Sequence, residues 1–262
     1  MADHSVPLEE PETAGADEIA DSRWSLLYKV GGTAALITVL FIPIQIVVFI
    51  VWPPPGYDPT PGTVTGWFTL LHNHRLLGLV DLDLLLIVDE VLAVPILLAL
   101  YVALRRASES VMALATALAF VAIAAFFASN TTFSMLPLSS QYAAATTEAQ
   151  RSLYLAAGQA MMALYSGTAF QVSYVLGSVT IVMTAAVILR SKIFSRATAY
   201  VGIVASVVGL GLYVPKIGLF LSVGSVPFWA AWNILVARRL FQLGRRVSEE
   251  ESKWAYREHS TR

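Results

Sequence analysis

Six apolar stretches of about 20 residues recur along the chain, and none of them alternates apolar with polar positions. That pattern predicts helices that cross a hydrocarbon core about 30 Å thick, and it excludes a transmembrane β-barrel. The predicted spans run Val30 to Trp52, Leu76 to Leu104, Val111 to Ala128, Phe170 to Leu189, Ala197 to Val214 and Leu219 to Leu240. Pro53-Pro54-Pro55-Gly56 ends the first, because proline lacks the N–H a helix needs and clashes with the preceding turn. The expected fold is an all-α integral membrane six-helix bundle with an outer amphipathic helix.

Composition reinforces this reading. Of 262 residues, 56% are hydrophobic and 13% charged, against about 45–50% and about 25% in soluble domains. The lipid bilayer is therefore the first partner of the chain. A net charge of -1 supplies no field for nucleic acid, and the absence of cysteine removes disulfides, thiolate metal sites and cysteine nucleophiles.

The cations set the expected orientation. Arg23, Lys29, Arg105, Arg106, Arg190, Lys192, Arg196, Arg238, Arg239, Arg245, Arg246, Lys253, Arg257 and Arg262 fall on one side, and only Arg75, Arg151 and Lys216 on the other. Cytoplasmic loops retain Lys and Arg, so both termini are expected in the cytoplasm of a prokaryotic cell membrane. Residues 1–22 hold seven acids and no Lys or Arg, which predicts a disordered acidic tail. Residues 23–244 form the membrane domain and 245–262 a short tail, where Glu249 and Lys253 have helical pairing distance and Trp254 and Tyr256 suit a surface helix.

Two outer connections are long. The first ends in Trp67-Phe68-Thr69-Leu70-Leu71, which reads as an aromatic anchor at headgroup depth. The second, Asn130 to Gly167, opens on a formal glycosylation acceptor, Asn130-Thr131-Thr132. Within it Thr147 and Gln150 have capping-box spacing, followed by an apolar stripe of Leu153, Ala157, Ala160, Met161 and Leu164. This helix either lies on the outer leaflet or serves as a lid over the bundle.

Candidate chemistry concentrates in the second span. His72, His74 and Arg75 stand at its entrance, followed by Asp81, Asp83, Asp89 and Glu90. Ionisable residues at such depth are costly and ordinarily face the bundle interior. In one continuous helix Asp81 lies near the azimuth of His74, while Asp83 and Glu90 share the opposite side. At 1.5 Å per residue the span exceeds the hydrocarbon core by about 13 Å, so the turns through Asp83 are expected in the interface and only Asp89 and Glu90 deep. Pro95 follows those two, where it deprives the Val91 carbonyl of its donor and predicts a kink. The expected partners for the deep acids are Gln45, Gln171, Asn233, Thr180 and Ser206.

A zinc site of His72, His74 and an acid has weak spacing, with no His-Glu-x-x-His helix and the remaining histidines, His4 and His259, in opposite tails. No Gly-x-Ser-x-Gly elbow or phosphate loop is present, so no catalytic, cofactor or metal residue is assigned. Ser173 with Gly177, Gly202 with Ser206 and Ala205 with Gly209 have the small-xxx-small spacing of close helix contacts, within a bundle or in a homo-oligomer. No internal repeat of the secondary-transporter type is visible.

The segments Leu98 to Arg106 and Leu189 to Arg196, with the final span ending Leu235 to Arg239, resemble the six-span prokaryotic membrane proteins grouped as domain of unknown function 4386. In that family proline often occupies the short inner turn, where this chain has Ser195-Arg196. The resemblance implies a prokaryotic cell membrane and carries over no activity and no catalytic residue. The leading functional expectation is a binding or transport module for an unidentified small molecule. In it Asp89 and Glu90 line a polar cavity open to the outer side, with Asp81, Asp83, His74 and Arg75 toward its mouth. A structural or regulatory protein acting through partner contacts, and a membrane-embedded metal-dependent enzyme, are the alternatives.

Overall fold

The computed structural model describes residues 24–260, with side chains through residue 245. Among the described residues ten α-helices and no strands occur: α1 Ser25–Val51, α2 Pro61–Asn73, α3 Arg75–Asp81, α4 Leu84–Leu104, α5 Glu109–Ser129, α6 Thr132–Ala144, α7 Glu148–Tyr165, α8 Thr168–Arg190, α9 Arg196–Leu210 and α10 Gly218–Ser260. The acidic stretch 1–22 and the side chains of Glu249, Lys253, Trp254 and Tyr256 lie outside this description. Six stretches are long and apolar enough to cross a membrane: α1, α4, α5 with α6, α7 with α8, α9 with the 3-10 turn that continues it to Tyr213, and α10 as far as Arg245. Their surfaces match a lipid environment, with Ile50 75% and Phe220 78% exposed, an apolar display that water does not tolerate over so large an area.

Each span packs on two neighbours, in the order α1, α4, α5, α8, α9, α10 and back to α1. Because the chain visits them in sequence, short turns suffice between antiparallel neighbours. The main core sits at the end where Lys29, Arg105, Arg190 and Arg245 lie, and includes Tyr28, Leu104, Met112, Ile188, Phe194, Val236 and Leu243. There glycines admit close packing: a Cβ on Gly31 would meet Ala99 Cβ at 2.8 Å, and one on Gly202 would meet the Trp232 ring at Nε1 at 2.7 Å. Gly202, Ala205, Ser206 and Gly209 are all buried inside the bundle. Both small-residue pairs of α9 thus serve packing within one chain.

The opposite half of the bundle is looser. Between Leu36 and Val51 of α1 only Val48 is fully buried, and no residue of α4 from Leu84 to Pro95 is. Above that half α2, α3, α6 and α7 form a cap with its own core of Val64, Trp67, Phe68, Leu71, Leu82, Met135 and Met162. Thr63, Val64, Trp67, Phe68 and Leu71 make one helical face of α2. The Thr60 hydroxyl accepts the Thr63 N–H, and Pro61 occupies the first turn, where its missing N–H costs nothing. The headgroup anchor expected at Trp67 and Phe68 is therefore corrected. Both rings are enclosed by protein, and Trp67 Nε1 donates to the Gly56 carbonyl at 2.7 Å, a carbonyl placed by the φ of +123° that only glycine adopts comfortably.

Helix α7 starts at the expected capping box of Thr147 and Gln150. Its packed face is different from the expected stripe. Leu153 is 65% and Leu164 46% exposed, whereas Gly158 and Met162 are buried, flanked by half-buried Leu155 and Tyr165. The reason is Gly158, which lets Val64 and Phe68 of α2 approach the α7 backbone; a Cβ there would meet Phe68 Cζ at 2.7 Å. A stripe ranked by side-chain hydrophobicity passes over a glycine that packs by having no side chain.

Candidate functional site

The long second span is interrupted. Helix α3 ends at Asp81, and α4 starts at Leu84 after Asp83, which has φ 72° and ψ 22° in the left-handed region. Aspartate is among the few residues other than glycine that enter this region. The azimuths drawn on one continuous helix across Asp83 therefore do not apply, and the six expected site residues fall into three groups. His74 and Arg75 are exposed at the bend between α2 and α3. Asp81 and Asp83 are 0% and 7% exposed. Asp89 and Glu90 are half-buried on α4. The turns through Asp83 are enclosed by the cap, because Leu82 between the two acids is drawn into the cap core.

Four segments assemble around that turn. Tyr165, at the end of α7, donates its hydroxyl to Asp83 Oδ2. Tyr57 stacks on Tyr165 with centroids 5.8 Å apart and planes 11° apart, and leans on Trp67 at 6.0 Å. Thr132 donates to the Leu82 carbonyl. Gln45 of α1 donates from Nε2 to the Val80 carbonyl at 3.3 Å. Tyr57 and Tyr165 were not singled out in the sequence, and Thr131 and Thr132 stood out only as part of a formal glycosylation acceptor. Tyr165 carried a faint signal, standing three residues beyond Met162 on the face of α7 that begins at Leu155 and Gly158.

The partners expected for the deep acids are engaged elsewhere. Gln171 donates to the Ser166 carbonyl at 3.1 Å and accepts from Tyr213 at 2.7 Å. Asn233 donates to the Trp229 carbonyl at 3.0 Å, and Thr180 to the Ala115 carbonyl at 3.4 Å, while Ser206 Oγ is buried without a partner. The hydroxyl that faces Asp89 is Thr38 of α1, and Asp89 Oδ1 and Thr38 Oγ1 are both buried without a well-formed hydrogen bond.

Burial governs the electrostatics of the turn. It pushes Asp81 and Asp83 up to about 6, since removing water penalises the charged form. The Tyr165 hydroxyl pulls Asp83 partly back. Tyr57 is held well above the usual tyrosine range by burial and then by the negative field of Asp83 and Asp81. Exposed Asp58, by contrast, lies below the usual range because Thr60 and Thr63 donate to it. Tyr165→Phe should remove the donor from Asp83 and cost about 1.5–3 kcal/mol, the worth of a hydrogen bond to a charged group. Thermal unfolding at pH 7.5 checks this, and an unchanged melting point would count against the bond.

An open groove of about 630 Å³ runs along α2, lined by Gly62, Thr65, Gly66, Thr69, Asn73 and His74. Among the described residues no three His, Asp or Glu side chains converge as a metal site, and none of Asp81, Asp83, Asp89 and Glu90 forms an ion pair with Lys or Arg. The chain matches no family model, no curated protein and no solved structure.

Proposed function

We propose that this chain is a prokaryotic cell-membrane protein with both termini in the cytoplasm, the cap on the outer face, and a binding or transport path for a small polar solute along the looser half of the bundle. Membership of the domain of unknown function 4386 group is part of this proposal. Asp89 and Glu90 are the residues that would meet the solute. One observation carries the reading: two half-buried carboxyls without a cationic partner stand on a stretch of α4 with no fully buried residue, facing an equally loose part of α1. Carboxyls kept at such depth are costly, and their usual use is a solute or proton path. The cations concentrated at the closed end support the orientation.

The chain has no cysteine, so single cysteines at positions 89 and 90 can be labelled in intact cells with a membrane-impermeant thiol reagent. Thr65 in the open groove serves as the accessible control. Labelling at 89 or 90 is expected. If Thr65→Cys labels while both α4 positions stay unreacted in folded protein, no outer water reaches them and the path is lost.

A further inference from the structure

The turn between α3 and α4 gathers more unpaired oxygen than a dry interior accepts. Asp81 is fully buried, and neither of its carboxylate oxygens has a hydrogen-bond partner. Gln45 is tied to the same turn through its bond to the Val80 carbonyl, and its Oε1 is buried and unpaired. Thr132 is tied to the Leu82 carbonyl, and the adjacent Thr131, 1% exposed, has a buried hydroxyl with no partner. Four unpaired oxygens thus stand together, of which only the Thr131 hydroxyl can also donate, and the one other unpaired donor is Asn130 Nδ2, on a residue whose Oδ1 accepts the Thr132 N–H at 3.1 Å.

Leaving such groups unmet is costly, and buried charges are ordinarily paired or bound to a metal. The groups arriving from the surrounding elements are Gln45 from α1, Thr131 from the α5–α6 link, Thr132 from the start of α6, Tyr165 from α7 and Tyr57 from the loop before α2. None is cationic. We propose that this turn binds a small hard cation of the alkali or alkaline-earth class, with Asp81, Gln45 and Thr131 as its oxygen ligands. Asp83, held by Tyr165, supplies a second negative charge. Oxygen donors without imidazole or sulfur select hard cations over zinc or copper. Because the ligands come from α1, the α3–α4 turn and the α5–α6 link, occupancy would tie the cap to the loose half of the bundle. This inference does not depend on the transport path, since none of its ligands lies on α4.

The test is thermal unfolding of the purified full chain in detergent at pH 7.5, in choline chloride, with NaCl or CaCl2 titrated at matched ionic strength. At least one of the two cations is expected to raise the melting temperature saturably. Asp81→Asn should abolish that rise while melting no lower than wild type in choline, because the amide keeps the shape and removes a buried charge. Thr131→Val should shift half-saturation to higher concentration, and it decides the matter if Asp81→Asn cannot be purified. Asp89→Asn should keep the wild-type response. Equal melting in choline, sodium and calcium, or a full response in Asp81→Asn, would overturn the site. Labelling at positions 89 and 90 reports on the transport path separately.

Discussion

Replacing Trp67 by alanine should destabilise the cap by about 3–5 kcal/mol, the range for deleting a fully buried tryptophan from a packed core. The ring is 0% exposed among Val64, Phe68, Leu71, Leu82, Met135 and Met162, and its N–H satisfies the Gly56 carbonyl. Truncation would open a cavity, free that carbonyl and remove the ring on which Tyr57 leans. Limited proteolysis should then cut within the cap, between 53 and 83 or between 130 and 167, while the spans resist. Trp52→Ala is the control: that ring is 39% exposed, and its loss should change stability by no more than about 0.5 kcal/mol. Cap cleavage no faster in Trp67→Ala than in Trp52→Ala would show that the cap does not rest on this core.

The second large effect is a fall in stability as pH rises from about 4 to about 6, measured in sodium- and calcium-free buffer. Asp83 titrates near the ordinary aspartate value of 3.8 when unfolded and is pushed up to about 6 by burial when folded. A carboxyl raised on folding binds its proton more tightly in the folded state. Its contribution is therefore fully present below the unfolded pKa and lost as pH passes the folded one. For Asp83 the span corresponds to on the order of 3 kcal/mol, and Asp81 shifts in the same direction for the same reason. Chemical or thermal unfolding at a series of pH values reads the slope. Asp83→Asn should flatten it, and Tyr165→Phe should carry the fall to higher pH, because the hydroxyl that holds Asp83 down is gone. Stability that climbs over this interval in wild type, and equally in Asp83→Asn, would contradict the burial of the carboxyl.

Legibility varied with how local each feature is. The six apolar stretches and the end of α1 at Pro53 were readable because hydropathy and proline act on their own segment of chain. The capping box of α7 was readable for the same reason. Which face of α7 packs was not, because Gly158 makes its contact by lacking a side chain and the rings that fill the gap, Phe68 among them, sit some ninety positions away.

The acids show the division most clearly. Asp81, Asp83, Asp89 and Glu90 were all visible as charges in an apolar segment, and that alone marked the segment as exceptional. Their partition into a buried turn and a half-buried helical face depended on one left-handed residue, Asp83. That conformation is held by a tyrosine 82 residues onward, with the neighbouring Leu82 carbonyl held by a threonine 50 residues onward. Pattern along the chain determined which segments are long and apolar enough to enter lipid, since transfer from water is a sum over neighbouring residues. The cap, the break in the second span and the partners of its acids were decided only by tertiary contact, since hydrogen bonds and ring packing join residues whose separation in sequence carries no trace of their meeting.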